Sequence, residues 1–210
     1  MCSRQDTFPI NRLVMYDINL DRQKVIGEFA KGLFREEYPN INFSYTTNKE
    51  EAFTEDIDFV FVQIRTGGYK MREKDEKIPL KLGVIGQETC GPGGFAYGMR
   101  SIRDMVQLIK DVISKTKDAW ILNYTNPAAI VAIALQELFP EDKRILNICD
   151  QPENLLRSYC RLLNMNERDF DPVYFGLNHF GWFTYLYDPQ KLREMILKNG
   201  FRPADYEQRD

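Results

Sequence analysis

Several residue types and patterns are scarce in this chain of 210 residues, and each scarcity limits what the protein can be. The four cysteines are widely scattered, which is not the density of a disulfide scaffold and suits a reducing cytoplasm. No run approaches about eighteen apolar residues, so we expect no membrane-spanning helix. Residues 1–6 lack the apolar core of a secretory signal. The formal net charge of −3 argues against a nucleic-acid or membrane-surface partner.

Short apolar runs alternate with amphipathic stretches, which predicts an α/β fold with a doubly wound parallel sheet. We predict strands at 13–16, 41–45, 58–62, 119–123 and 144–149, and helices at 21–37, 101–115, 127–138 and 152–163. Further strands at 173–177 and 182–187 indicate the start of a second, α+β unit. The stretch 65–94 is rich in glycine, proline and charge, and its composition predicts a long loop of the kind that is often functional.

Residues 1–12 contain no glycine, although a dinucleotide-binding fold needs a Gly-x-Gly-x-x-Gly turn after its first strand. The first strand of such a fold and its glycine loop are therefore missing from the amino end. Gly91, Gly93 and Gly94 lie too far along the chain to replace that loop. Asp17 ends the first apolar run, and two interpretations have equal weight: an acid that binds ribose hydroxyls, or an aspartate that caps the next helix.

A thiol, a carboxyl and an imidazole carry the strongest chemical signal. Cys149 and Asp150 follow an apolar, strand-like run, and His179 is the one histidine of the chain. Cysteine and histidine both bind a borderline divalent metal, and a neighbouring carboxyl can act as a proton donor. These residues alone do not decide whether the chain has a metal site. A cysteine after a strand is usually buried and inert, and a lone histidine is usually a hydrogen-bonded residue of the core or the surface.

Five short motifs follow one another along the chain. They span residues 72–80, 86–94, 123–127, 149–152 and 176–182. Together and in this order they resemble glycoside hydrolase family 4, and the resemblance covers residues 13 to about 203. It implies an incomplete NAD-binding, Rossmann-like domain over 1–150 and the beginning of a lactate/malate-dehydrogenase-like catalytic domain over 151–210.

The resemblance implies an unusual hydrolysis of O-glycosidic bonds that depends on NAD⁺ and a divalent metal, typically Mn²⁺. The sugar 3-hydroxyl is oxidised to a ketone, the acidified C2 proton leaves, the glycosidic oxygen departs, water adds, and the ketone is reduced again. The chain is most similar to members that cleave 6-phospho-α-glucosides such as maltose 6′-phosphate. Asp150 supports this assignment, because the resemblance implies asparagine there in members of the β type.

The motifs also imply roles for single residues. Cys149 and His179 match the family's metal ligands, and Asp150 matches the proton donor to the leaving oxygen. Glu88 matches an acid that raises the basicity of a catalytic tyrosine. Asp17 matches the acid that binds the ribose of NAD.

Arg72 and Asn126 match the residues that contact the phosphorylated sugar, and a guanidinium fork suits a phosphate dianion. Each assignment has an ordinary alternative. Arg72 could belong to a solvated charged loop, Asn126 could cap the helix that follows it, and Glu88 could be a surface carboxylate.

The chain also departs from the family pattern. Family members are about twice as long, and no tyrosine here matches the catalytic one. We therefore expect this chain alone to be inactive or weakly active, and to fold poorly or associate through unpaired strand edges. An alternative is a non-catalytic subunit that assembles with a separately encoded carboxyl half. A plain dehydrogenase lacks support, because His179 lies in the metal-ligand motif. For the whole protein we expect a cytoplasmic homo-oligomer.

Overall fold

The computed structural model describes residues 8–177 and 180–199. Within these ranges, no helix is both long and apolar enough to cross a membrane. The elements follow in the order β1 (Arg12–Tyr16), α1 (Leu20–Glu37), β2 (Asn42–Thr46), α2 (Lys49–Ala52), β3 (Phe59–Val62), α3 (Gly68–Lys81), α4 (Gly91–Lys115), β4 (Trp120–Asn123), α5 (Ala128–Leu138), β5 (Ile145–Asn147), α6 (Gln151–Leu163), β6 (Val173–Leu177), β7 (Phe180–Tyr185) and α7 (Pro189–Asn199).

The strands before α6 form parallel sheets, as the alternating pattern predicts. β1 pairs with β2 in parallel, beginning with Arg12 beside Asn42. β3, β4 and β5 form a second sheet in that order. The amides of Trp120 and Tyr124 donate to carbonyls four residues apart at β3, so β3 and β4 also run in the same direction. The expected α/β fold class is therefore confirmed, and β6 and β7 add an antiparallel hairpin.

The chain divides into two compact units. Unit one comprises Met1–Val60 and Arg103–Ile121, and unit two comprises Phe61–Ile102 and Leu122–Asp210. β3 and β4 each contribute their first half to unit one and their second half to unit two. The domain boundary expected near residue 150 stays a prediction.

Unit one is built around the apolar face of α4. Met105, Ile109 and Val112 recur at helical spacing and are completely buried, as is Ile121 of β4. Burying a side chain of this size contributes roughly 1.5–3 kcal/mol. The amphipathic pattern that predicts this helix is thus also the pattern that forms the core of the unit.

Unit two has an apolar cluster on α6. Leu156, Cys160 and Leu163 are buried there, and partly buried side chains of β7 and α7 cover them. Burial raises the pKa of the Cys160 thiol, which fits an inert core cysteine. On α5, Val131 and Leu135 are also buried. α5 follows β4 and α6 follows β5, so both helices begin near the strand ends described below.

The prediction of one long loop over 65–94 is wrong, because α3 and the start of α4 lie within it. α3 is polar, so no apolar stripe reveals it; its turns are linked instead by ion pairs such as Arg72 with Glu76. Pro79 falls in its last turns and hides the helix further from sequence reasoning. α4 likewise begins at Gly91, well before its predicted start.

β1 and β3 are edge strands within the described part of the chain, where each has one strand neighbour. An edge strand presents unpaired backbone groups that can pair with another chain. On β3, Phe59 and Phe61 are 42% and 58% exposed. This arrangement supports the expected association through open edges, which stays a prediction.

Candidate active site

The carboxyl ends of β3, β4 and β5 meet in a network of polar groups in unit two. Asn123, at the end of β4, donates through Nδ2 to Oδ1 of Asn147 on β5 at 2.8 Å. Its Oδ1 accepts the Thr125 amide at 3.0 Å, and the Thr125 hydroxyl accepts the Ile64 amide, just beyond β3, at 3.1 Å. Asn123 and Thr125 are almost completely buried, so these bonds replace bonds to water. The three strand ends are thereby fixed relative to one another.

Cys149 and Asp150 lie where β5 passes into α6, as the sequence predicts. The Cys149 thiol is half-buried. Asp150 directly precedes α6, but its side chain makes no capping bond to the amides of that helix. Its Oδ2 accepts a hydrogen bond from Nδ2 of Asn154 at 2.9 Å. The carboxyl is therefore oriented by a neighbouring side chain and not used to start the helix.

Tyr124 is a second partner of Asp150, and sequence reasoning missed it. The hydrogen bond to Asp150, followed by burial and by the charge of that carboxylate, raises the pKa of Tyr124 to about 12. Its amide donates to the Val62 carbonyl at 2.8 Å, which fixes the tyrosine to the end of β3. Its place in the 123–127 motif, two residues before Asn126, was the available signal.

A cavity of about 230 Å³ opens beside Cys149 in unit two. Asn147, Gln151 and Tyr174 line it, together with small residues of the first turns of α5. Within the described ranges, Gln151 Oε1 is buried and has no hydrogen-bond partner. A thiol and an unsatisfied amide oxygen at one cavity provide donors that a borderline divalent metal accepts.

The predicted metal site is only partly within the described chain. Among residues 8–177 and 180–199, no three side chains of His, Cys, Asp or Glu are grouped to hold an ion. His179, the second predicted ligand, lies outside the described residues. The pairing of Cys149 with His179 therefore stays a prediction.

Arg72 and Glu88, predicted from separate motifs, are in contact. The Arg72 Nε lies 3.2 Å from Glu88 Oε2 and donates to Glu76 Oε1 at 2.8 Å. The hydrogen bond with Glu76, aided by the charge of Glu88, raises the pKa of Arg72. The Glu88 side chain is only 18% exposed, which argues against the interpretation as an ordinary surface carboxylate.

Arg65 is a second cation at Glu88, and the sequence did not reveal it. Its Nη1 lies 2.6 Å from Glu88 Oε2, the same oxygen that faces Arg72. The guanidinium carbon also lies 5.3 Å from the ring centre of Tyr97 and 5.8 Å from that of Tyr69. Tyr97 is buried, and burial raises the pKa of its hydroxyl. One carboxylate oxygen thus joins two guanidinium groups.

The loop that carries Glu88 is held tightly against the start of α4. The Gln87 side chain accepts the two backbone amides that follow Glu88, at 2.5 and 2.6 Å. A Cβ on Gly93 would lie 2.5 Å from the Asp75 carbonyl oxygen and 2.6 Å from that of Gln87. Only glycine allows this approach, which gives the Gly-rich motif a structural reason.

Asn126 lies beyond β4, where the sequence predicts a sugar contact. It precedes Pro127 through a cis peptide bond, and its carbonyl accepts the Ser101 hydroxyl at 3.4 Å. The N-cap of α5 is Pro127, so the alternative of Asn126 as a helix cap is wrong. Asn126 is exposed, and its contact with substrate stays a prediction.

Asp17 belongs to unit one and follows β1, as predicted. It lies 2.6 Å from the Arg22 guanidinium and accepts the Asn19 amide at 2.8 Å. Burial alone would raise the pKa of Asp17, but the bonds from Arg22 and from the backbone lower it overall. The N-cap of α1 is Asn19, so Asp17 supports the helix start from outside it. Its ribose-binding role stays a prediction.

A parallel α/β sheet with polar side chains beyond the carboxyl ends of its strands defines an α/β protein whose ligand site lies at that edge of the sheet. Residues 1–165 match the model of the family 4 glycosyl hydrolases. The chain belongs to this family, as its five motifs predict, and the interpretation as a plain dehydrogenase is set aside.

The chain is similar to phosphoglucosidases of greater length. It is 50% identical over 204 residues to the phospho-alpha-glucosidase PagL of Clostridium acetobutylicum and 51% identical over 203 residues to the maltose-6′-phosphate glucosidase of Fusobacterium mortiferum. Each match covers 93% of this chain and 46% of the relative. A crystal structure of a 6-phospho-alpha-glucosidase from gut microorganisms, in complex with NAD and Mn²⁺, is 55% identical, with a TM-score of 0.86. It covers the whole of this chain, which spans 49% of that structure.

Proposed function

We propose that the protein hydrolyses 6-phospho-α-glucosides such as maltose 6′-phosphate, with the help of NAD⁺ and a divalent metal, preferably Mn²⁺. The observation that carries the proposal is Asp150, placed directly after Cys149 beyond β5 and hydrogen-bonded to Tyr124 and Asn154. The activities named for the similar relatives support the same substrate class. An aspartate at this position supports the α linkage.

Asp150 is the proton donor in this proposal. A sugar alkoxide is a poor leaving group, so protonation of the glycosidic oxygen lowers the barrier to its departure; such catalysis contributes about 10²–10⁴-fold in rate. Tyr124 and Asn154 restrict the rotation of the carboxyl, so that it faces a constant direction. Orientation of this kind is part of what an enzyme contributes to a proton transfer.

Cys149, together with His179, would hold the metal. The thiol, the neighbouring cavity and the unsatisfied Gln151 oxygen fit a borderline divalent ion. When bound, the metal supplies Lewis acidity and NAD⁺ supplies the reversible oxidation of the sugar 3-hydroxyl. Asp17 is the candidate for the ribose hydroxyls of NAD⁺.

Arg72 and Asn126 would contact the phosphorylated sugar. Arg72 is 38% exposed, so it is within reach of a ligand, and its guanidinium can bind a phosphate through two parallel hydrogen bonds. We expect the whole protein in the cytoplasm, and we expect it to be a homo-oligomer.

The activity can be tested with two proteins that differ in length. We would assay release of glucose 6-phosphate from maltose 6′-phosphate by the purified chain, with and without NAD⁺ and Mn²⁺. The same assay would use a hybrid in which this chain replaces the matched segment of the Clostridium acetobutylicum enzyme. We expect little or no activity from the chain alone and NAD⁺- and Mn²⁺-dependent activity from the hybrid.

Matched substitutions in the hybrid identify the site. Asp150→Asn should lower the rate by about 10²–10⁴-fold, while Asp171→Asn, at an exposed aspartate, should leave it unchanged. Cys149→Ser should weaken Mn²⁺ binding, so that activity falls and needs a higher Mn²⁺ concentration, while Cys90→Ser, at an exposed cysteine, should leave both unchanged. Activity without NAD⁺, or full activity in Asp150→Asn, would contradict the proposal.

A further inference from the structure

Glu88 lies between two guanidinium groups of unit two, and only one of them is expected to meet the substrate. Its Oε2 is 2.6 Å from Arg65 Nη1 and 3.2 Å from Arg72 Nε. The carboxylate therefore has its closer partner in Arg65. Since a single oxygen makes both contacts, a change at one arginine alters how strongly this oxygen interacts with the other arginine.

Arg65 is the better anchored of the two arginines. Its guanidinium lies near the rings of Tyr97 and Tyr69, and Tyr97 is 2% exposed on α4. Its side chain is 29% exposed, against 38% for that of Arg72. Planar stacking of arginine on aromatic rings restricts its rotation. Glu88 thus has its shorter contact with the less exposed and better anchored of the two guanidinium groups.

A phosphate dianion that binds Arg72 competes with the carboxylates already there. Glu76 and Glu88 both contact the Nε of Arg72. A phosphate can bind the two terminal nitrogens of the same guanidinium group through two hydrogen bonds. Without Arg65, Glu88 would have Arg72 as its nearest cation and would pair with it more closely. The carboxylate would then oppose an incoming phosphate by both charge and position.

We propose that Arg65 is a positioning residue for the sugar-phosphate site: it holds Glu88 back, so that Arg72 can bind the phosphate of the substrate. This inference rests on the proposed function, which assigns the phosphate to Arg72. Arg65 has no contact with the ligand in this proposal. Glu88 competes with the phosphate for Arg72, and Arg65 limits how strongly it competes.

The test is a double-mutant cycle of glucose 6-phosphate affinity, measured calorimetrically on the hybrid enzyme described above. Arg65→Gln should weaken binding by about tenfold. Glu88→Gln should bind at least as tightly as the unaltered hybrid, and the double variant should return to within about twofold of Glu88→Gln. Arg65→Lys, which keeps the charge, should recover part of the loss. The control is Arg12→Gln in unit one, whose partner is Asp56, and circular dichroism checks that every variant folds.

The outcomes separate this inference from the function on which it rests. If Arg72→Gln binds glucose 6-phosphate normally, the assignment of the phosphate to Arg72 fails. If Arg72→Gln loses affinity but Arg65→Gln does not, only the role of Arg65 is overturned. An Arg65→Gln loss that persists undiminished in the Glu88→Gln background also overturns it, because Arg65 would then contact the phosphate itself. Absence of binding by the unaltered hybrid refutes the proposed function, and this inference falls with it.

Discussion

The ion pair between Asp75 of α3 and Arg100 of α4 is the buried contact whose loss we expect to destabilise unit two most. Asp75 Oδ2 lies 2.5 Å from Arg100 Nη2, and Oδ1 lies 3.1 Å from Nη1, so the pair is bidentate. The Asp75 side chain is 5% exposed and that of Arg100 is 24% exposed. The pair joins α3, which carries Arg72, to α4.

The perturbation we propose is Arg100→Met, which keeps most of the apolar stem and removes the charge. Breaking a buried pair from one side costs about 3–5 kcal/mol, because the remaining charge is left unpaired. Arg100 is partly exposed, so some water can reach Asp75, and we expect about 2–4 kcal/mol of lost unfolding free energy. Adding Asp75→Asn replaces the stranded carboxylate by a neutral amide and should recover about 1–2 kcal/mol of that loss.

The assay is urea denaturation followed by circular dichroism, with the slope of the transition compared among variants. The matched control is Arg12→Met, whose ion pair with Asp56 is exposed at 37% and 66%, and it should change stability by less than about 1 kcal/mol. The reasoning is refuted if Arg100→Met costs no more than this control. It is equally refuted if Asp75→Asn lowers the stability of the Arg100→Met protein further.

Three other outcomes follow from the geometry. Asp150→Asn should lower the pKa of Tyr124 from about 12 toward its ordinary 10.0, which the ¹³Cζ resonance of labelled tyrosine would report. In the unaltered chain, the hydrogen bond between Tyr124 and Asp150 stabilises the fold below pH 10, and this stabilisation is lost as the pH rises toward 12. Gly93→Ala should destabilise the chain in urea by about 2 kcal/mol or more, because the added methyl meets two carbonyl oxygens, and an unchanged midpoint would contradict this. Arg22→Gln should lower the melting temperature at pH 7, where Asp17 is ionised, and the difference from the unaltered chain should shrink as pH falls below 3.8 and through the lowered pKa of Asp17.

Much of the architecture followed from local patterns in the sequence. The apolar runs that predict β1 to β5 alternate with helical spacing, and both periods are properties of short segments. Cys149 and Asp150 could be placed beyond a strand for the same reason. The polar helix α3 could not, because its turns are stabilised by charged pairs and not by an apolar stripe. α7 was missed as well, at the far end of the described residues.

The sequence by itself therefore determined the α/β class, the family and the chemical types of the site residues, since each depends on neighbours along the chain. Only the tertiary structure decided which side chains meet. Arg65 and Glu88 are 23 residues apart, and Tyr124 reaches Asp150 from a different strand end. Such contacts depend on how β3, β4 and β5 are aligned side by side and on how α3 and α4 pack, and no local spacing encodes that alignment.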